Sequence, residues 1–135
     1  MVKLIEEKEQ LNRIFDNAQV TDNARVFGNA CAHGNAQISG DAMIFESAVV
    51  TGNAKVSGNA MVCGKAKIYG NAQVSGDVEI YGNARIYGNA KISGYVKIYG
   101  DVHIYGDAQI SGDVCIFDNA KVYGDAKISK KRLGL

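Results

Sequence analysis

The sequence carries no marked excess of either charge. Its 15 lysines and arginines nearly balance 14 aspartates and glutamates, which gives a formal net charge of +1. Proteins dedicated to nucleic acids normally show a clear basic excess, and so do polybasic proteins that lie on anionic membranes. We therefore expect neither a nucleic acid nor a membrane among the partners.

Long apolar runs and secretory features are also missing. No stretch approaches the roughly 18 apolar residues that a membrane-spanning helix needs. The opening residues, MVKLIEEKEQLNR, are too acidic and too weakly apolar for a secretory signal. The chain is nevertheless 47% hydrophobic, which is too high for a disordered low-complexity tract. These features predict a folded protein in the cytoplasm.

Proline and tryptophan are absent, whereas 16 glycines recur at a regular interval. From Ala18 to Lys131 the chain divides into 19 hexads with no insertion or deletion. Position one is Ala or Val in every hexad, position three is Val or Ile in 18 of them, and position five is Gly in 15. Such strict self-similarity is the signature of a repeat architecture.

Each hexad position has a physical interpretation. Positions one to four alternate as in a short strand, so the small residue at one and the β-branched residue at three point inward. Gly followed by Asn or Asp tolerates the positive φ that a tight corner needs. A strand of this length cannot bury its apolar side alone, but a stack of such strands can.

Position four shows how many hexads complete one coil. Taking every third hexad sorts this position into three chemically distinct series, which define three faces of a rod. Face one carries Thr21, Ser39, Ser57, Ser75, Ser93, Ser111 and Ser129; face two carries Phe27, Phe45, Cys63, Tyr81, Tyr99 and Phe117; face three carries His33, Thr51, Tyr69, Tyr87, Tyr105 and Tyr123. One coil therefore comprises three hexads, and the repeat predicts an all-β triangular prism of about six coils.

The hexads resemble those of the hexapeptide-repeat, left-handed parallel β-helix superfamily, most closely its bacterial acyltransferase-like members, whose hexads read like VYGNAK. The resemblance covers all 19 hexads. It implies a single-stranded, left-handed parallel β-helix, a handedness that the periodicity alone does not give. We expect an N-terminal capping segment over 1–13, the β-helix over 14–131 and a C-terminal tail over 132–135.

The resemblance also implies acyl transfer from coenzyme A, with a histidine as general base. The chain has only His33 and His103, about four coils or roughly 19 Å apart on face three. His33 is the candidate catalytic residue, and Cys31 beside it is a candidate nucleophile. Because the loop and the C-terminal segment of such enzymes are missing, we expect no catalytic residue and no cofactor. A coenzyme A-dependent acyltransferase stays as the alternative.

Metal binding has weak support in the sequence. A zinc site of the carbonic-anhydrase kind needs three histidines. Asp107 and Asp125 share one corner in successive coils, about 5 Å apart, and could bind a hard cation. Other corners use Asn freely, so turn chemistry is the preferred interpretation and no metal site is expected.

The three cysteines do not occupy neighbouring rows of one face. The Cα atoms of Cys31, Cys63 and Cys115 should therefore lie beyond the roughly 7 Å limit of a disulfide. Free thiols suit a reducing cytoplasm.

Face two presents an apolar group to the outside, which we call the Phe–Met ridge. Its members are Phe27, Met43, Phe45, Met61 and Cys63, at positions two and four of consecutive rows. A contiguous apolar patch of about 400 Å² usually marks a contact surface, and a straight face suits a symmetric side-by-side contact. The ridge therefore predicts a homo-oligomer, with a trimer favoured, or a protein partner on this face.

These observations lead to three hypotheses about function. The leading one is a non-catalytic structural or protein-interaction rod that associates with itself or docks a partner through its apolar face. The alternative is an acyltransferase-like enzyme with its site at a subunit groove. The second alternative is a glycan- or polymer-binding rod that uses the tyrosine and serine surfaces, although tryptophan is absent.

Overall fold

The computed structural model describes residues 13–133, and they form a stack of short parallel strands. Face one contains β1 (Gln19–Val20), β4 (Gln37–Ile38), β7 (Lys55–Val56), β10 (Gln73–Val74), β13 (Lys91–Ile92) and the first parts of β16 (Gln109–Ile116) and β18 (Lys127–Leu133). Face two contains β2 (Arg25–Val26), β5 (Met43–Ile44), β8 (Met61–Val62), β11 (Asp77–Ile80), β14 (Tyr95–Ile98) and the second parts of β16 and β18. Face three contains β3 (Cys31–Ala32), β6 (Val49–Val50), β9 (Lys67–Ile68), β12 (Arg85–Ile86), β15 (His103–Ile104) and β17 (Lys121–Val122).

Strand register fixes the coil at three hexads. Gln19 pairs with Gln37 on face one, and Lys67 pairs with Arg85 on face three. Backbone hydrogen bonds run from one coil to the next: the Gln19 N–H donates to the Ala36 carbonyl at 2.9 Å. The predicted parallel β-helix of about six coils is therefore confirmed. A left-handed coil fits this arrangement, and the handedness itself is still what the family resemblance implies.

The core consists of the residues at positions one and three. Ala and Val at position one, and Val and Ile at position three, line a narrow interior in which most side chains are completely buried. Within residues 13–130 no polar or charged side chain is buried. The core therefore depends on apolar packing, while every polar side chain at positions two and four is left to the outer surface.

The corners adopt the left-handed backbone that position five predicts. Gly70 and Gly88, for example, have φ angles of 67° and 69°. Where the position is not glycine the backbone is the same, at Asp16, Asp22, Glu46, Asp118 and Lys130. Three of these side chains reach the next coil, as when the Glu46 carboxylate accepts a hydrogen bond from the Gly64 N–H at 2.8 Å. At Asp16, Asp22 and Glu46 an acidic side chain thus replaces glycine and gains a backbone partner in the next coil.

The last strand differs from the regular repeat. β18 follows β16 with the offset of one coil as far as Ser129, and then the register shifts so that Lys131 pairs with Val114. The strand continues to Leu133, two residues beyond the end predicted for the β-helix. Most of the predicted N-terminal cap and the last two residues lie outside the described residues. Between residues 13 and 133 there is no helix long and apolar enough to cross a membrane.

Candidate functional site

The Cys31–His33 pair lies on face three, where the strand alternation puts it. Both side chains are half-buried, and His33 Nδ1 lies 3.0 Å from the Thr51 hydroxyl of the next coil. No hydrogen bond joins Cys31 to His33 in the described part of the chain. Burial raises the pKa of the Cys31 thiol, which is the opposite of the activation that a cysteine nucleophile needs. The second histidine, His103, belongs to a groove four coils away.

The two corner aspartates have different surroundings. Asp107 accepts a hydrogen bond from the Asn89 side chain at 3.1 Å, whereas Asp125 is exposed in the last coil. No group of three or more His, Cys, Asp or Glu side chains that could hold a metal ion occurs within residues 13–133. Asp107 thus has a structural partner already.

The Asp107 contact ends a continuous asparagine ladder along one corner. Its members are Asn17, Asn35, Asn53, Asn71 and Asn89, each donating from its side-chain amide to the next at 3.1–3.3 Å. The sequence showed that Asn recurs at this corner, but not that the side chains bond to one another. The recurrence of Asn once in every coil could have predicted the ladder, because residues one coil apart lie directly above one another and their amide groups come within hydrogen-bond distance.

The Phe–Met ridge is less exposed than its outward positions suggest. All five side chains are half-buried. The Phe27 and Phe45 rings stack with centroids 5.2 Å apart and planes 6° from parallel, and the Arg25 guanidinium lies 5.2 Å from the Phe27 centroid. The side chains of the ridge therefore shield one another from solvent in part. What stays exposed is a straight apolar strip along face two.

Cys63 ends the ridge and is held as a neutral thiol. Burial raises its pKa to about 11, and the charge of Glu46 and a hydrogen bond to that carboxylate act in the same direction. Cys31, Cys63 and Cys115 are all unpaired thiols. A protonated, half-buried thiol behaves as a small apolar side chain, so Cys63 adds to the apolar character of the ridge.

Face three has a tyrosine ladder in its C-terminal half. Tyr69, Tyr87, Tyr105 and Tyr123 stack in register with centroids 4.8–5.4 Å apart, because the same hexad position recurs directly above itself in each coil. Among residues 13–130 the most exposed aromatic side chains are Tyr95 at a corner, at 67%, Tyr123 at the end of this ladder, at 58%, and Phe15 in the first coil, at 48%. The hexad pattern assigns no role to Tyr95 or Phe15.

Two shallow grooves run along the rod beside the corners. The larger, of 610 Å³, lies between the asparagine ladder and the Lys and Gln side chains of face one, and it includes Lys55, Gln73, Lys91 and Gln109. The smaller, of 440 Å³, is lined by Lys65, Lys67, Asn83, Arg85, Asp101 and His103. Sequence analysis missed both grooves, although the recurrence of cations at position two of face three was visible.

Comparison with known families identifies the kind of rod. The family model described as "Bactofilin: Polymer-forming cytoskeletal" matches residues 42–133. A second family model, the YdcK beta solenoid repeat, matches residues 18–34. Neither the curated proteins nor the solved structures yield a match. The predicted function, a structural rod that self-associates, is thereby confirmed, whereas kinship with the hexapeptide-repeat acyltransferases is still only a resemblance. Because the first match spans more than half of its length, the chain belongs to the bactofilin family of polymer-forming cytoskeletal proteins.

Proposed function

We propose that this chain is the building block of a cytoskeletal polymer, that it acts as a structural rod and not as an enzyme, and that it needs no cofactor. The family supports a polymer, and three unpaired thiols are compatible with the cytoplasm. The observation that carries the proposal is an uninterrupted stack of near-identical coils, in which β18 pairs with β16 on one side only within residues 13–133.

The edge of the last described strand supports an axial contact. Within residues 13–133, β18 pairs with β16 on one side and with no strand on the other. A Cβ atom placed on Gly106 would lie 2.8 Å from the Gly124 nitrogen in the coil above, whereas a Cβ atom on Gly124 would meet no described atom within 4 Å. Strand edges without a neighbour are templates for pairing with another chain. We infer that this edge contributes to an axial contact between rods.

A polymer of this rod needs more than one kind of contact. A closed trimer formed through one face ends growth after three copies, whereas an open filament needs a contact that does not close. We assign the Phe–Met ridge to the lateral contact and the outer edge of β18 to the axial one. The ridge is suited to the lateral role because Phe27, Met43, Phe45 and Met61 present a straight, half-buried apolar strip beside a polar face one.

The test changes the ridge and leaves the core untouched. The double substitution Met43→Glu with Phe45→Lys keeps the net charge and should reduce the mass per length of the polymer to about one third, the value for a single rod in place of a trimer. The matched control is Gln37→Glu with Ser39→Lys, which makes the same charge change at positions two and four of face one in the same coil.

The outcomes are distinguishable by scattering-based mass measurement and electron microscopy. We expect the control to keep the mass per length of the wild type. A ridge variant with unchanged mass per length would remove the ridge from the lateral contact. A wild-type chain that stays monomeric at high concentration would refute the polymer itself.

A further inference from the structure

The C-terminal half of face three carries an unusual row of charge, which we call the cation column. Its charged members are Lys67, Arg85 and Lys121, and His103 lies between the last two, so that all four residues are at position two of successive coils. Strand pairing places each of them directly beside the next. Adjacent members are therefore one strand spacing apart, about 4.8 Å.

Face one shows how the same rod separates like charges. Its position two reads Gln37, Lys55, Gln73, Lys91, Gln109 and Lys127, so a neutral glutamine lies between each lysine and the next. Like charges directly opposite each other on neighbouring strands are destabilising. Face one avoids this repulsion, whereas the cation column places the charges of Lys67 and Arg85 on neighbouring strands, although both rows belong to the same repeat.

No partner among the described residues neutralises the column. Lys67, Arg85 and Lys121 are exposed, and none of them forms a salt bridge within residues 13–133. The groove beside the column has one acidic side chain, Asp101, and one further cation, Lys65. The charge along this groove is thus predominantly positive in a chain whose formal net charge is only +1.

The tyrosine ladder lies beside the cation column, and its stacking disfavours nucleic-acid bases as ligands. Because Tyr69, Tyr87 and Tyr105 stack face to face along the rod, their ring faces are covered by one another. Bases of single-stranded nucleic acid bind to aromatic side chains through free ring faces, and this ladder offers none between its members. The column can therefore recognise negative charge along a line but not bases.

We propose that the cation column binds an extended acidic segment of a partner protein. The three cations Lys67, Arg85 and Lys121 span three strand spacings, about 14 Å, which an extended peptide covers with about four to five residues. Carboxylates of such a segment can engage the Arg85 guanidinium through paired hydrogen bonds and the lysines as point charges. The 440 Å³ groove beside the column provides the room for a single strand of peptide. This docking function goes beyond polymer formation and does not depend on the Phe–Met ridge.

The test measures binding of a fluorescein-labelled decaglutamate peptide to the full chain by fluorescence anisotropy. The variant is Lys67→Gln with Arg85→Gln and Lys121→Gln. The matched control is Lys55→Gln with Lys91→Gln and Lys127→Gln, which removes the same three charges from position two of face one. We expect the face three variant to weaken binding about tenfold or more, and the control to change it less than about twofold. Both variants change only exposed side chains, and thermal unfolding would verify that they fold.

Other outcomes would overturn the proposal. Equal weakening by both variants would show a general effect of net charge, and absence of decaglutamate binding at low salt would show that the column is not a peptide site. The same measurement with polyuridylate and with phosphatidylglycerol vesicles tests other anions. Tighter binding of either, dependent on the same three residues, would replace the acidic peptide as the occupant.

Discussion

Gly70 lies directly beneath Gly88, and a Cβ atom placed on Gly70 would be 2.8 Å from the Gly88 nitrogen. Real Cβ atoms do not approach a backbone nitrogen so closely. The corners of the rod therefore need glycine for two reasons, a left-handed backbone and the close approach of the next coil.

Substitution at these corners separates the two reasons. Gly70→Ala should destabilise the rod more than Gly124→Ala, measured as the free energy of unfolding in urea. Both positions have nearly the same φ, 67° and 66°, so both variants incur the left-handed strain of about 1–2 kcal/mol. Only Gly70→Ala also forces neighbouring backbone apart, whereas Gly124 has open space above it. Equal destabilisation by the two variants would contradict the close stacking of the corners.

Ile86 tests the inward assignment of position three. Its side chain is completely buried, so Ile86→Ala should cost about 2–5 kcal/mol and Ile86→Asp should unfold the rod, because the charge would enter an apolar core without a partner. The neighbouring residue Arg85 is exposed, and Arg85→Ala serves as the control with little effect. A soluble Ile86→Asp protein that melts cooperatively near the wild-type temperature would show that the row does not face inward.

Cys63 gives a prediction for thiol chemistry. Its raised pKa of about 11 leaves about 100-fold less thiolate near pH 8 than a thiol of ordinary pKa. The higher nucleophilicity of that thiolate offsets part of the deficit, so alkylation by iodoacetamide should be about tenfold slower than for free cysteine. Glu46→Gln should speed the reaction, because it removes the negative charge beside the sulfur. A rate equal to that of free cysteine would contradict this environment.

The raised pKa of Cys63 also predicts that the stability of the folded chain falls at alkaline pH. The neutral thiol of Cys63 is favoured in the folded chain, so its contribution is fully present below about pH 9 and declines as the pH rises toward 11. Cys63→Ala should reduce the loss of stability between these pH values. Thermal unfolding of both proteins at several alkaline pH values measures the difference.

Much of this architecture follows from the sequence because a strict period of three hexads leaves little freedom in the backbone. Every Val or Ile at position three, such as Ile86, therefore points into the core.

The surface is harder to predict, since the exposure of a side chain there depends on the rotamers of its neighbours along the rod. Phe27 and Phe45 illustrate this, because their outward positions were predictable, but their mutual covering is a matter of ring orientation. The asparagine ladder was missed for the same reason, because composition at a corner does not show which amide atoms meet.

The acyltransferase alternative has its own test. Isothermal titration with coenzyme A should give no saturable heat. His33→Ala should leave the fold intact, because the hydrogen-bond partner of His33 is the Thr51 hydroxyl, which lies on the outer surface and not in the core. Circular dichroism checks the fold. Saturable coenzyme A binding that disappears in His33→Ala would revive an enzyme on this rod.

The most direct test of the whole account is X-ray fibre diffraction from the aligned polymer. If rods join end to end along the rod axis, the strands run perpendicular to the polymer axis, and we predict a strong meridional reflection near 4.8 Å, which is about the spacing of neighbouring strands. Small closed particles at every concentration, or a polymer whose strand-spacing reflection lies on the equator, would contradict it.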